Sequence, residues 1–295
     1  MRIRPRKLVS LHLLPLLFAN ISTLTQAIRH LATAKLVLRN IVTNPCSTCT
    51  NDYSGNAFTC DVTAGTRYCW KDLTLSTEKT LTGSLSLTGV SESQLTQITA
   101  KAGQYRHFQI SSNGYTLSLT YLKLVGGTVV ASYYPPSGYG GSILASSGKI
   151  VIHKCEFSDN SAEAGGAIAV YGSYGSNGIN VGISASIFRE NTARQRGGAV
   201  SFYSHNGLLS IFDTHFESNQ QTPSYYYCQN AGGGGGAIHI SSTGYPYHTI
   251  ANTTFFDNDA DCTYGHVCLF LYNLLSIPLL TLATIYRPCY AHLRL

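Results

Sequence analysis

Apolar and polar residues alternate through GSLSLTGV (Gly83–Val90) and GYTLSLTYLKLVGG (Gly114–Gly127). A period of two is that of a strand with one buried face. Further along, the apolar runs are short. SILA, AIAV, AVSF and AIHI each follow a glycine pair, and IVIHKCEF, VGISASIF, LLSIFDTHF and TIANTTF each lead into a phenylalanine. Turn residues separate them. The pattern predicts an all-β chain with two short strands per unit.

The units repeat. Gly140-Gly141-Ser142-Ile143, Gly165-Gly166-Ala167-Ile168, Gly197-Gly198-Ala199-Val200 and Gly235-Gly236-Ala237-Ile238 are spaced by 25, 32 and 38 residues. FSDN, FREN, FESN and FFDN, beginning at Phe157, Phe188, Phe216 and Phe255, alternate with them. Such periods belong to stacked architectures. A parallel β-helix places like residues over like, one coil about 4.8 Å above the last. Phe157, Phe188, Phe216 and Phe255 are then expected to form an interior column. Cys155, Ser186, Thr214 and Thr253, two positions earlier, face the same way, which makes Cys155 a core thiol. Asn160, Asn191, Asn219 and Asn258 are expected at a turn, where Asn tolerates left-handed backbone and can form a ladder. RHFQI and the two alternating stretches read as early coils without FxxN, and YYPPSGYG as an insertion within one coil.

The run AGGGGGAIHI (Ala231–Ile240) raises a phosphate-binding alternative. No Lys-Ser or Lys-Thr follows it, as a phosphate-binding loop requires, and no helical pattern does. A turn entering a strand is the better reading.

The alternation of GGA[I/V] and FxxN over about residues 115–260 resembles the repeats of chlamydial polymorphic outer membrane proteins. That resemblance implies a right-handed parallel β-helix of the pectin-lyase-like kind and a surface adhesin. In those proteins a C-terminal β-barrel exports the passenger. The present chain does not carry a segment to match it, so that mechanism does not transfer.

Composition sharpens the picture at the ends. Charged residues make up 12%, about half the usual share. The net charge of +6 is concentrated in the termini, since residues 40–266 hold 11 Lys+Arg against 14 Asp+Glu, a net of −3. The body has no basic footprint for nucleic acid. MRIRPRK, then LVSLHLLPLLFA, then TQA ending at Ala27, reads as a secretory signal over 1–27. Cys46, Cys49, Cys60 and Cys69 then fall in an oxidising compartment. Two disulfides in a small cap over 28–79 are preferred to a zinc site, because the second pair is not a CxxC. The β-helix is expected over 80–262. Of the rest, 263–295, the uncharged stretch Val267–Tyr286 is long enough to span a bilayer, although a capping strand or helix is the alternative.

Candidate chemistry is sparse. Asp159, Glu190 and Asp257 occupy the same place in three repeats and are weak candidates for catalytic carboxylates. Arg189, Arg194 and Arg196 are the nearest cations, with RQR read as an exposed turn. No metal site and no cofactor is expected. Ten tyrosines fall in or near the insertions, among them Tyr139, Tyr171 and the run Tyr225-Tyr226-Tyr227, which is first in line for binding. Asn252-Thr253-Thr254 is the sequon of the expected mature chain, with Asn252 opening a strand and pointing outward. The expectation is a secreted or cell-surface module, possible type I membrane anchoring included, with a non-catalytic role in adhesion, recognition or structure toward a glycan or a surface protein. A polysaccharide lyase or hydrolase of the same fold is the alternative.

Overall fold

The computed structural model describes residues 65–69, 72–75, 77–100, 105–129, 136–172, 178–222, 234–243 and 248–260, together with the backbone of three later strands. The expected signal over 1–27, Cys46, Cys49, Cys60 and Tyr225–Tyr227 lie outside the described residues. All the described strands belong to one compact unit, Asn44–Leu295.

The chain passes from sheet to sheet and returns one level higher. The first coil holds β1 (Gly65–Tyr68), β2 (Leu73–Leu75) and β3 (Lys79–Thr80). The second holds β4 (Leu85–Thr88), β5 (Thr96–Ala100) and β6 (Phe108–Ile110), and the third β7 (Thr116–Thr120), β8 (Leu122–Val125) and β9 (Ile143–Ala145). From the fourth coil on there are four strands. They are β10 (Lys149–His153), β11 (Glu156–Ser158), β12 (Ser161–Ala164) and β13 (Ile168–Tyr171), then β14 (Asn180–Ser184), β15 (Ile187–Arg189), β16 (Thr192–Arg196) and β17 (Val200–His205). Two more coils follow the same plan. One comprises β18 (Leu208–Phe212), β19 (His215–Glu217), β20 (Gln220–Gln221) and β21 (Ile238–Thr243); the other β22 (Thr249–Ala251), β23 (Thr254–Phe256), β24 (Asp259–Ala260) and β25 (Val267–Tyr272). Strands β26 (Thr284–Tyr286) and β27 (Tyr290–Arg294) extend two of the sheets.

Four sheets result. Sheet A is β1-β4-β7-β10-β14-β18-β22, sheet B is β2-β5-β8-β11-β15-β19-β23-β26, sheet D is β12-β16-β20-β24, and sheet C is β3-β6-β9-β13-β17-β21-β25-β27. Neighbours pair in parallel throughout, as in β10 with β14 and β13 with β17. The described residues are all-β, with no helix, and the arrangement is consistent with a parallel β-helix solenoid.

Register keeps the interior apolar. Leu87, Leu119, Ile152, Ile183, Ile211 and Ile250 run through sheet A. Sheet B carries Leu124, Phe157, Phe188, Phe216 and Phe255. The four phenylalanine rings are parallel at centroid spacings of 4.8, 4.9 and 5.2 Å and fully buried. Sheet D contributes the small residues Ala162, Ala193 and Ala260, with Gln221 among them.

The repeat departs from expectation in three ways. Each apolar run before a phenylalanine is two strands, because Lys154, Ala185, Asp213 and Asn252 adopt φ near +50° and bend the chain from sheet A into sheet B. The next small residue closes that bend. Ser186 and Thr214 donate to the carbonyl two residues back at 2.8 Å, Thr253 at 3.0 Å, and Cys155 does so through Sγ at 3.4 Å. Second, RQR is no turn: Thr192–Arg196 is β16, with a bulge where it faces β12. Third, parallel strands begin at Gly65, inside the segment assigned to the cap.

The second glycine of each pair is dictated by the distance between coils. A Cβ on Gly141, Gly166 or Gly198 would stand 2.0–2.2 Å from the carbonyl oxygen of the matching glycine one coil on. The first glycine, at φ +58° to +83°, turns the chain from sheet D into sheet C. Gly235-Gly236 in the glycine run Gly232–Gly236 are therefore turn residues, with their backbone committed to the neighbouring coils.

Candidate functional site

Connections differ by corner. From the fourth coil on, two residues join sheet A to B and two join B to D. The connections at the edges of sheet C vary instead: 3, 3, 16 and 6 residues enter it after sheet D, and 3, 8, 2 and 5 leave it toward sheet A. Length variation gathers where a scaffold presents function.

The outer face of sheet C is correspondingly distinctive. Tyr171 and Tyr203 are register partners, and their rings stack at 5.3 Å with an interplanar angle of 20°. Tyr139, just ahead of β9, meets Tyr171 edge-on at 5.6 Å. Ser241 continues the row one coil further. All three tyrosines are half-buried. Two of them were anticipated as insertion residues. Tyr203 lies outside that expectation, although it stands six residues after the first glycine of its pair, as Tyr171 does.

The adjacent outer row, Leu144, Ala169, Ser201 and His239, is buried. Burial, and secondarily the Arg196 charge, lower the His239 pKa to about 3, so its imidazole is neutral near pH 7. On β9, β13, β17 and β21 the face carries no Asp, Glu, Lys or Arg.

The acidic candidates stand elsewhere. Asp159, Glu190 and Asp257 are exposed, and with Ser218 they hold φ of +51° to +57° at the corner between sheets B and D. This corrects the expectation for the asparagines, since the residue before each Asn takes the left-handed conformation. Asn160, Asn191, Asn219 and Asn258 point inward, 0–1% exposed. Each of the first three donates from Nδ2 to the Oδ1 of the next at 2.9, 2.9 and 2.7 Å. Their backbone N–H groups donate to the same oxygens.

The cations are committed too. Lys123 lies 2.9 Å from Glu156 and Arg189 3.4 Å from the same carboxylate oxygen, on the outer face of sheet B. Arg194 pairs with Glu163 at 3.7 Å, and Gln195 donates to that carboxylate at 3.0 Å. Beside the Glu156 pair, His215 meets Thr254 through Nδ1 and lies 3.7 Å from Glu217 through Nε2. An acid, an imidazole and a hydroxyl in line are the parts of a nucleophile relay. Here they stand on an open sheet face, where water competes for each contact.

Cys155 is a free, buried thiol, and burial pushes its pKa up to about 12. Cys69 is buried. Asn252 is exposed, but at φ +49° it occupies the bend between sheets A and B and does not open a strand. Val267–Tyr272 and Thr284–Tyr286 are strands of sheets C and B. No helix among the described residues is long and apolar enough to cross a membrane.

Comparison with protein-family models, with curated proteins and with solved structures finds no match to this chain.

Proposed function

We propose that this chain is a secreted or cell-surface recognition module, a right-handed parallel β-helix of the pectin-lyase-like kind, that binds a neutral, linear glycan along the outer face of sheet C without cleaving it. The Tyr139–Tyr171–Tyr203 row carries the reading. Because Tyr171 and Tyr203 each cover one face of the other, their ring edges and hydroxyls present the row's repeating contacts to a ligand. Hydroxyls repeating once per coil suit a polymer that repeats over a similar length and lies along the stacking axis. The absence of charge on these strands favours a neutral chain over a polyuronate. Tyrosine adds contact area at small entropic cost. The signal over 1–27 and disulfides among Cys46, Cys49, Cys60 and Cys69 complete the proposed secreted or cell-surface setting, and the resemblance in the repeats agrees with it.

A glycan array with the secreted protein tests this directly. Binding to neutral linear polymers, weakened at least tenfold in Tyr171→Ala and Tyr203→Ala, is the expected result. Binding that survives both changes places the site elsewhere. Release of reducing or unsaturated ends from a bound polymer replaces the reading with the enzymatic one.

A further inference from the structure

Four large apolar side chains among the described residues are exposed, and two of them are phenylalanines: Phe212 at 41% and Phe256 at 46%. Phe212 is the register partner of Ala251, the residue preceding Asn252. Phe256 ends β23, four residues after it. Asn252 itself is exposed at φ +49°, in the bend between sheets A and B. The sequon threonine, Thr254, is part-buried beside His215. Single exposed apolar residues are common, but two exposed aromatic ones within a few positions of an acceptor asparagine leave apolar surface within reach of a glycan attached there.

We infer that Asn252 carries an N-linked oligosaccharide whose first sugars lie over Phe212 and Phe256. The inference rests on the secretory route proposed above. In the transfer, the bond from the anomeric carbon of a polyprenyl-diphosphate-linked oligosaccharide to its phosphate oxygen breaks. A bond from that carbon to Asn252 Nδ2 forms, the polyprenyl diphosphate leaves, and the amide gives one proton to the transferase's base. Sugar rings have apolar faces that pack on aromatic side chains while their hydroxyls stay in water. The attachment lies at the corner of sheets A and B and leaves the tyrosine row of sheet C uncovered.

The full chain is translated with eukaryotic microsomes, then probed with protease and with peptide N-glycosidase. The expected product is protease-protected and heavier by one glycan, and Asn252→Gln removes that increment while leaving any contribution of the Asn20 sequon in the leader. A protected chain with bare Asn252 overturns the inference alone. An unprotected chain overturns the secretory route and the inference with it. For the covering, enzymatic deglycosylation of the folded product should raise the fluorescence of a hydrophobic dye at least twofold, and much less in Phe212→Ser. Equal dye binding before and after deglycosylation shows that the sugars do not lie on the patch.

Discussion

Asn191 and Asn219 share one hydrogen-bonding oxygen between two donors: the Nδ2 of Asn191 reaches Oδ1 of Asn219 at 2.9 Å and its backbone N–H reaches the same atom at 3.2 Å. The Nδ2 group also donates to the carbonyl of Phe157 at 3.0 Å. Every group involved is away from water. Asn191→Ala would remove the acceptor shared by the Nδ2 and N–H of Asn160, whose Nδ2 would keep the Leu124 carbonyl, and one donor to the Phe157 carbonyl. The loss should reach at least about 2–3 kcal/mol, read as a lower urea midpoint. An unchanged midpoint means the ladder is dispensable.

The phenylalanine column makes a different demand. Phe188 is fully buried between Phe157 and Phe216, so Phe188→Ala opens a cavity and should cost about 3–5 kcal/mol. Phe256, on the opposite side of the same sheet, is 46% exposed, and Phe256→Ala should stay within about 0.5 kcal/mol. Denaturation of the two variants side by side checks the inside-outside assignment. Similar losses would refute it.

Two glycines separate conformational need from steric need. A Cβ on Gly166 would meet the Gly198 carbonyl at 2.2 Å and the Thr192 carbonyl at 2.6 Å, both backbone atoms. Gly166→Ala must force coils apart and should prevent folding or lower stability by several kcal/mol, on the order of a severe core defect. Gly182 has no atom within 4 Å of the same construction, and Gly182→Ala should be neutral or stabilising by about 0.4–1 kcal/mol. Expression and melting of the pair decide it.

His107 supplies a pH dependence. Its Nε2 donates to the Ile98 carbonyl at 3.0 Å, and its Nδ1 accepts from the Ser142 hydroxyl at 3.0 Å, the pattern of a neutral ring. Burial lowers its pKa to about 4, from an ordinary 6.5. The folded pKa lies below the unfolded one, so this contribution is complete above about pH 6.5 and is lost as pH falls toward 4. It amounts to at most about 3 kcal/mol. Burial lowers His248 to about 4 as well, with the same sign. Urea midpoints should drop between pH 7 and pH 4.5, and His107→Gln should show a smaller drop. A flat profile contradicts the burial.

Much of this architecture is legible in the sequence, because a stacked fold repeats its demands. The columns Phe157 to Phe255 and Asn160 to Asn258 follow from the alternation of two motifs, each residue lying over its counterpart. What the pattern does not give is backbone conformation at single positions. The bends at Lys154 and Ala185 need φ > 0 from residues that ordinarily avoid it, so nothing in their identity divides the apolar run into two strands. The sequence points to the ladder at Asn191 but places the turn one residue late, since Asn is the usual left-handed residue and Glu190 is not. Arg196 in RQR looked like turn chemistry because charge implies exposure, whereas sheet D accommodates its backbone in β16. Tyr203 is hidden for the opposite reason: it sits within β17, so no insertion marks it in the sequence.

The acidic column gives the test that divides recognition from catalysis. Asp159, Glu190 and Asp257 are exposed and left-handed, at φ +57°, +55° and +51°. Asn adopts that conformation more readily than Glu and at least as readily as Asp. Changing all three to Asn removes three carboxylates while keeping or improving the local backbone preference. Stability should therefore stay within about 1 kcal/mol of the parent, on either side. If these residues serve only as turn residues, glycan binding should also persist, because the tyrosine row belongs to sheet C and the acids stand at the corner of sheets B and D. Carboxylates that act on a substrate behave otherwise: the triple variant would keep its fold and lose its effect on the polymer. Calorimetry of the variant followed by titration with the bound glycan separates the cases. Retained melting with retained affinity supports the structural role, and retained melting with lost affinity or lost turnover assigns function to the acids.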